Sequence, residues 1–147
     1  MSIEKNVYEA IRWLRTGEDD LDAAIVLRKN EKFPHACFLA QQAGEKAIKA
    51  VWHLLDADPW GHSIRKLIED LENVDLSLYD RLKSLLRAGT VLDRFYIPTR
   101  YPNGLPELTP AEAYLEEDAE ERIQQAGKIL VAVKSLLPSD KDRSTHR

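Results

Sequence analysis

One cysteine, one methionine and six glycines among 147 residues leave little material for several kinds of chemistry. Cys37 stands alone, so no internal disulfide forms, which suits a reducing cytoplasmic setting. It falls on the apolar side of its segment and reads as core filler. Four histidines are scattered, with no pair at ligand spacing beside a carboxylate and no Glu-x-x-His, so no metal and no other cofactor is expected. The isolated "TG" and "NG" dipeptides offer no phosphate-cradling loop. Nothing in the spacing supports a Ser-His-Asp or Cys-His arrangement. No apolar run approaches the ~18 residues of a membrane span. The opening "MSIEKNVYEAIRWLR" has neither the apolar centre nor the small-residue cleavage pattern of a secretory leader. Excess positive charge is lacking too. At a net −4 the chain has no global attraction for polyanions, and any such binding must come from a local cluster.

Helical patterning is what the chain has in quantity. With 44% hydrophobic and 31% charged residues it reads as an ordinary globular domain, spanning residues 1–137, with 138–147 as a disordered tail. Five segments carry helical periodicity and none reads as a strand. The first, about Ile3 to Arg28, is striped by Val7, Ala10, Ile11, Leu14, Leu21, Ala24 and Ile25, and Gly17 marks a bend or a close helix contact. The second runs from Pro34 to about Leu55, and its alanines beside Gly44 let a partner helix come close. A short third segment, Ser63 to Leu71, turns Ile64, Leu67, Ile68 and Leu71 to one side. The fourth spans about Leu78 to Phe95. The last begins at Thr109 with Pro110 and Glu112 completing a capping box, and continues to Pro138. Burying these stripes against one another gives an all-α, up-and-down bundle of four or five helices.

Two places attract attention as sites. Along the second helix, Gln42, Glu45, Lys46, Lys49 and His53 step by three or four and line one side. They read either as a solvated face with an ion pair or, at Lys46 and Lys49, as the edge of a phosphate groove. The connection "DRFYIPTRYPNG" gathers Asp93, Arg94, Tyr96, Arg100 and Tyr101 at a helix end. Guanidinium forks suit phosphate oxygens and phenol rings stack on bases. The same residues also serve as scaffold, with Asp93 pairing an arginine and the tyrosines pinning the loop. His62 and Ser63 open the third helix, where they either cap it or meet an anion.

The stretches "FPHACFLAQQAGEKAIKAVW", "GHSIRKLIEDL" and "LDRFYIPTRYPN", in this order and spacing, resemble the HEPN family over roughly residues 5 to 137. The likeness is strongest to bacterial and archaeal members that stand beside a small separate nucleotidyltransferase. It implies a helical bundle, usually homodimeric, that binds nucleotide or RNA; the local basic and aromatic cluster makes Arg94, Tyr96, Arg100 and Tyr101 the first candidates for that contact, with Lys46, Lys49 and His62 second. It also implies a minimal nucleotidyltransferase as partner, in a toxin–antitoxin pair. Several branches of the family are ribonucleases that use Arg and His with four to six residues between them. Here Arg28 and His35 match that count only across "KNEKFP", and the last two helices hold no such pair. The family's catalytic residues are therefore not carried over. A metal-independent ribonuclease would need a base near the 2′-hydroxyl, for which His62 is the weak candidate. A purely structural partner subunit without ligand is the third reading.

Overall fold

The computed structural model describes residues 2–94 and 107–138. Among these residues there are helices and turns but no strand. Helix α1 (Ile3–Lys29) is capped by the Ser2 hydroxyl, which accepts from the Lys5 N–H. Helix α2 (Phe33–Leu54) starts with Pro34 in its first turn, where a missing N–H costs nothing. Gly17 resolves to a close contact: a Cβ there would lie 2.9 Å from the Ala43 carbonyl oxygen. The antiparallel α1 and α2 meet through Ala10, Ala40, Ala43, Ala47 and Ala50, all fully buried.

Helix α3 (Ile64–Asp70) continues into a 3-10 turn (Leu71–Asn73). Trp52, buried on α2, fastens it by donating Nε1–H to the Leu67 carbonyl at 3.2 Å. The expected single helix from Leu78 to Phe95 is instead α4 (Leu76–Leu82), a 3-10 turn (Lys83–Leu85) and α5 (Leu86–Asp93). It begins earlier because Asp75 caps it, accepting from the Leu78 N–H at 3.0 Å. The 3-10 turn, with three residues per turn, brings Leu82 and Leu85 inward together, which uninterrupted α-geometry places less directly in line.

The capping box at Thr109 is present: the Glu112 N–H donates to its hydroxyl, and Glu112 Oε1 accepts from its N–H at 3.1 Å. These bonds from Thr109 hold the Glu112 carboxyl below its usual range. Yet α6 (Pro110–Ala113) lasts one turn. Tyr114 goes extended so that its ring is buried with Ala36, Cys37 and Ala119. The chain restarts as α7 (Glu116–Lys134), where Asp118 accepts from the Leu115 N–H at 2.8 Å. The expected continuous last helix is thus two, divided by one buried phenol.

Helix α2 sits in the middle, packed against α1, α7, α3 and α5. Helix α7 runs antiparallel to α1, tied at its ends by Arg28–Glu116 and Lys134–Glu18. Cys37 is fully buried and burial pushes its thiol up to about 12, an inert group as expected of core filler. No described helix is long and apolar enough to cross a membrane. The tail from 139 onward lies outside the described residues.

Candidate functional site at the start of the third helix

The polar flank of α2 is not the wet side of a bundle helix. Of its 22 residues, 14 are buried, because neighbours cover the helix on several sides. The residues that face inward are Gln41, Glu45 and Lys49, one turn apart, with relative exposures of 0%, 4% and 9%. Gln42, Lys46 and His53 lie half-buried on either side. This corrects the expectation of a solvated face, although the expected ion pair is present as Glu45–Lys49, and it adds Gln41, which the sequence reading missed. The i, i+4, i+8 spacing of Gln41, Glu45 and Lys49 was the available signal.

Buried polar groups need partners, and these have them. Glu45 Oε1 accepts from Gln41 Nε2 at 3.1 Å, and Glu45 Oε2 holds Lys49 Nζ at 3.0 Å. Gln42 Nε2 donates to Gln41 Oε1 at 2.7 Å. The network then reaches out to the chain entering α3. Gln41 Nε2 donates to the His62 carbonyl at 3.3 Å, and His62 Nδ1 lies 3.3 Å from Glu45 Oε2. The His62 side chain remains 65% exposed. A buried carboxylate beside one imidazole nitrogen is an arrangement that orients a histidine for proton transfer.

Lys46 is bound to Asp20 on α1 at 2.5 Å. Both lysines named as phosphate contacts are therefore engaged with carboxylates, Lys46 partly and Lys49 almost wholly out of solvent. Incoming phosphate would have to displace those partners. His53 stacks on Trp13 with ring centroids 4.9 Å apart, and its Nε2 is buried without a hydrogen bond. Burial lowers its imidazole below the ordinary range, with Glu9 and Asp58 partly opposing and Lys49 reinforcing the shift.

The N-terminus of α3 already contains its anion. Asp93, the last residue of α5, accepts from the Ile64 N–H at 2.7 Å, the Arg65 N–H at 3.0 Å and the Ser63 hydroxyl at 2.8 Å. Ser63 also caps the helix by accepting from the Lys66 N–H. Ser63 thus both caps the helix and meets an anion, the anion being Asp93, whose partners among the described residues are at the end of α3 rather than an arginine side chain. Arg65 adds a second tie between α3 and α5 by donating to the Thr90 hydroxyl at 2.9 Å. Arg94 follows Asp93 directly and is exposed at the C-cap of α5. His62 and Arg94 are thus brought to the same end of the α3–α5 pair. Tyr96, Arg100 and Tyr101 lie outside the described residues. Arg28, one half of the formal Arg–His match, pairs with Glu116 at 3.4 Å. Among the described residues no group of three or more His, Cys, Asp or Glu side chains is arranged to hold a metal ion.

Comparison with known proteins places this architecture. The family profile for the HEPN domain matches residues 10–136. The chain belongs to the HEPN family. A protein of Methanocaldococcus jannaschii named "Putative toxin MJ1304" is 32% identical over 138 residues, covering 90% of each chain. Among solved structures, TT1696 from Thermus thermophilus is similar with a TM-score of 0.79 and 38% identity, over 88% of this HEPN chain and 98% of that one. ST0689, described as an archaeal HEPN homologue, follows with a TM-score of 0.72 and 34% identity over the same shares of the two chains. The family and the all-helical bundle read from the residues are both established by these likenesses.

Proposed function

We propose that this HEPN protein is the helical member of a toxin–antitoxin pair. In this reading it binds nucleotide or RNA at the end of the bundle where α3 begins and α5 ends, and acts as a homodimer with a minimal nucleotidyltransferase partner. The observation that carries the reading is the likeness to the Methanocaldococcus protein named as a toxin, which runs through 90% of both chains and so includes the whole bundle. Arg94 is exposed there, just before the Tyr96–Tyr101 connection in sequence, on a chain whose net charge of −4 leaves anion binding to local cationic groups. Arg94, Arg100 and the two tyrosines are the contacts of first rank. Lys46 and Lys49 remain secondary, as each is held by a carboxylate.

Binding of ATP and of labelled single-stranded RNA to the full chain tests this. Each charge-assisted guanidinium–phosphate bond contributes about 1.5–3 kcal/mol. Arg94→Ala with Arg100→Ala should therefore weaken binding by more than about tenfold at an unchanged helical circular-dichroism signal. Equal affinity in the double variant removes the connection from the site. Co-expression with a minimal nucleotidyltransferase should give a complex that elutes together.

A second reading, a metal-independent endoribonuclease, is favoured by one observation: the exposed His62 ring is set against the buried Glu45 carboxylate. It requires RNA cleavage in the presence of chelator, abolished by His62→Ala. RNA left whole by concentrated protein rejects it.

A further inference from the structure

Trp60 is 90% exposed, more than any other large apolar side chain among the described residues. The other two tryptophans are engaged. Trp52 is buried on α2, and Trp13 stacks on His53. The chain is fastened just after Trp60. Gln41 holds the His62 carbonyl, the His62 ring is set against Glu45, and the Ser63 hydroxyl donates to Asp93. Gly61 sits at φ +88, a left-handed conformation that side-chain-bearing residues rarely adopt, and nothing lies within 4 Å of where its Cβ would be. An exposed indole thus stands two residues before a segment anchored to the buried network.

Its surroundings indicate what covers it. Asp58, Gly61 and His62 beside it are all exposed, and no second large hydrophobic side chain stands out of this turn. A protein interface presents several apolar side chains around an aromatic anchor. A lone ring in polar company fits a planar group that brings its own polar edge. Charge around the turn is uneven. Asp56 and Asp58 are exposed on the side leading from α2, whereas Arg65, Lys66 and Arg94 are exposed on the α3–α5 side, where the Asp93 carboxylate is already taken up by the start of α3. Arg65 and Lys66 are paired at the surface with Glu69 and Asp70, contacts that water and salt screen heavily. A ligand with an aromatic ring and an anionic tail is oriented by this asymmetry, its tail turned from the aspartates toward α3.

We propose that Trp60 is a stacking platform for a nucleobase, with the attached phosphate directed toward His62 and Arg94. This rests on the nucleotide- or RNA-binding reading above and adds a contact that the family resemblance did not supply. Base-on-indole stacking is sequence-tolerant, so single-stranded RNA of mixed sequence is a suitable probe. With the full chain, RNA should quench tryptophan emission, and Trp60→Ala should abolish most of that quenching. The same variant should weaken RNA binding roughly five- to hundredfold, and Trp60→Phe should keep most of the affinity. An abasic oligonucleotide of equal charge should bind wild type and Trp60→Ala alike. Equal RNA affinity in wild type and Trp60→Ala overturns the stacking role while leaving the binding reading intact. So does a Trp60→Ala protein that keeps RNA but loses a co-eluting nucleotidyltransferase. Absence of any RNA or ATP binding by the wild-type protein instead sinks the reading on which the proposal rests.

Discussion

Replacing Glu45 with alanine leaves the Lys49 ammonium without its partner 3.0 Å away, in a place where it cannot reach water freely. The two side chains are only 5% and 11% exposed, so solvent screening does little to soften the loss. Breaking one side of a buried ion pair costs about 3–5 kcal/mol. That is a large part of a typical total stability of about 5–15 kcal/mol. For a chain of this size it corresponds to a fall in Tm of about 6–20 °C. Replacing both residues with methionine removes the stranded charge along with its partner. The double variant should therefore lie near wild type or above it by about 1–4 kcal/mol. Gln41 keeps its bond to the His62 carbonyl in either case. Urea titrations of wild type, Glu45→Ala, Lys49→Met and Glu45→Met/Lys49→Met, followed by circular dichroism, measure these differences directly. A Glu45→Ala cost below about 1 kcal/mol, or a double variant as unstable as the two single changes added together, would refute the reasoning.

Two further outcomes follow from packing and burial. Gly17→Ala should lower stability by about 1–3 kcal/mol although alanine is the better helix former, because its Cβ would meet the Ala43 carbonyl oxygen at 2.9 Å. Gly127→Ala, with nothing within 4 Å of the new methyl, should raise it by up to about 1 kcal/mol; thermal melts giving the two changes the same sign would contradict this. His53 is held below its ordinary value of 6.5 by burial against Trp13, so the unfolded chain takes up its proton more readily than the fold does. Its contribution is whole above that value and is lost as pH falls toward the folded one. Urea midpoints between about pH 7 and pH 5 should thus drop less steeply for His53→Gln than for wild type, and parallel slopes would count against the assignment.

Periodicity located the helices because each buries a stripe. Ile64, Leu67, Ile68 and Leu71 in the third segment are all essentially inaccessible, as their spacing requires. Where the fold departs from that reading, a single residue decided. Tyr114 gives up helical geometry to bury its ring, and the Leu82–Leu85 pair is brought inward by a 3-10 turn. Neither choice is visible before the neighbours are known. The site was legible as residue types more than as geometry. His62, Ser63, Asp93 and Arg94 were all singled out, and they do gather at one end. Capping by Ser63 was legible, but the role of Asp93 was not, because it reaches across thirty residues to the start of α3. The polar flank of α2 was misjudged for a related reason. Helical spacing shows which residues share a face, but not that a helix will be surrounded.

The Asp93 carboxylate has a mechanical consequence. By gripping two backbone N–H groups and a hydroxyl of α3, it welds the last residue of α5 to the first turn of a helix more than twenty residues earlier in the chain. Arg94, exposed and next in sequence, is therefore presented from a clamped base. Ser63 is bonded to Asp93 and, as cap, to α3, so one hydroxyl fastens both the segment that follows Trp60 and the residue that precedes Arg94.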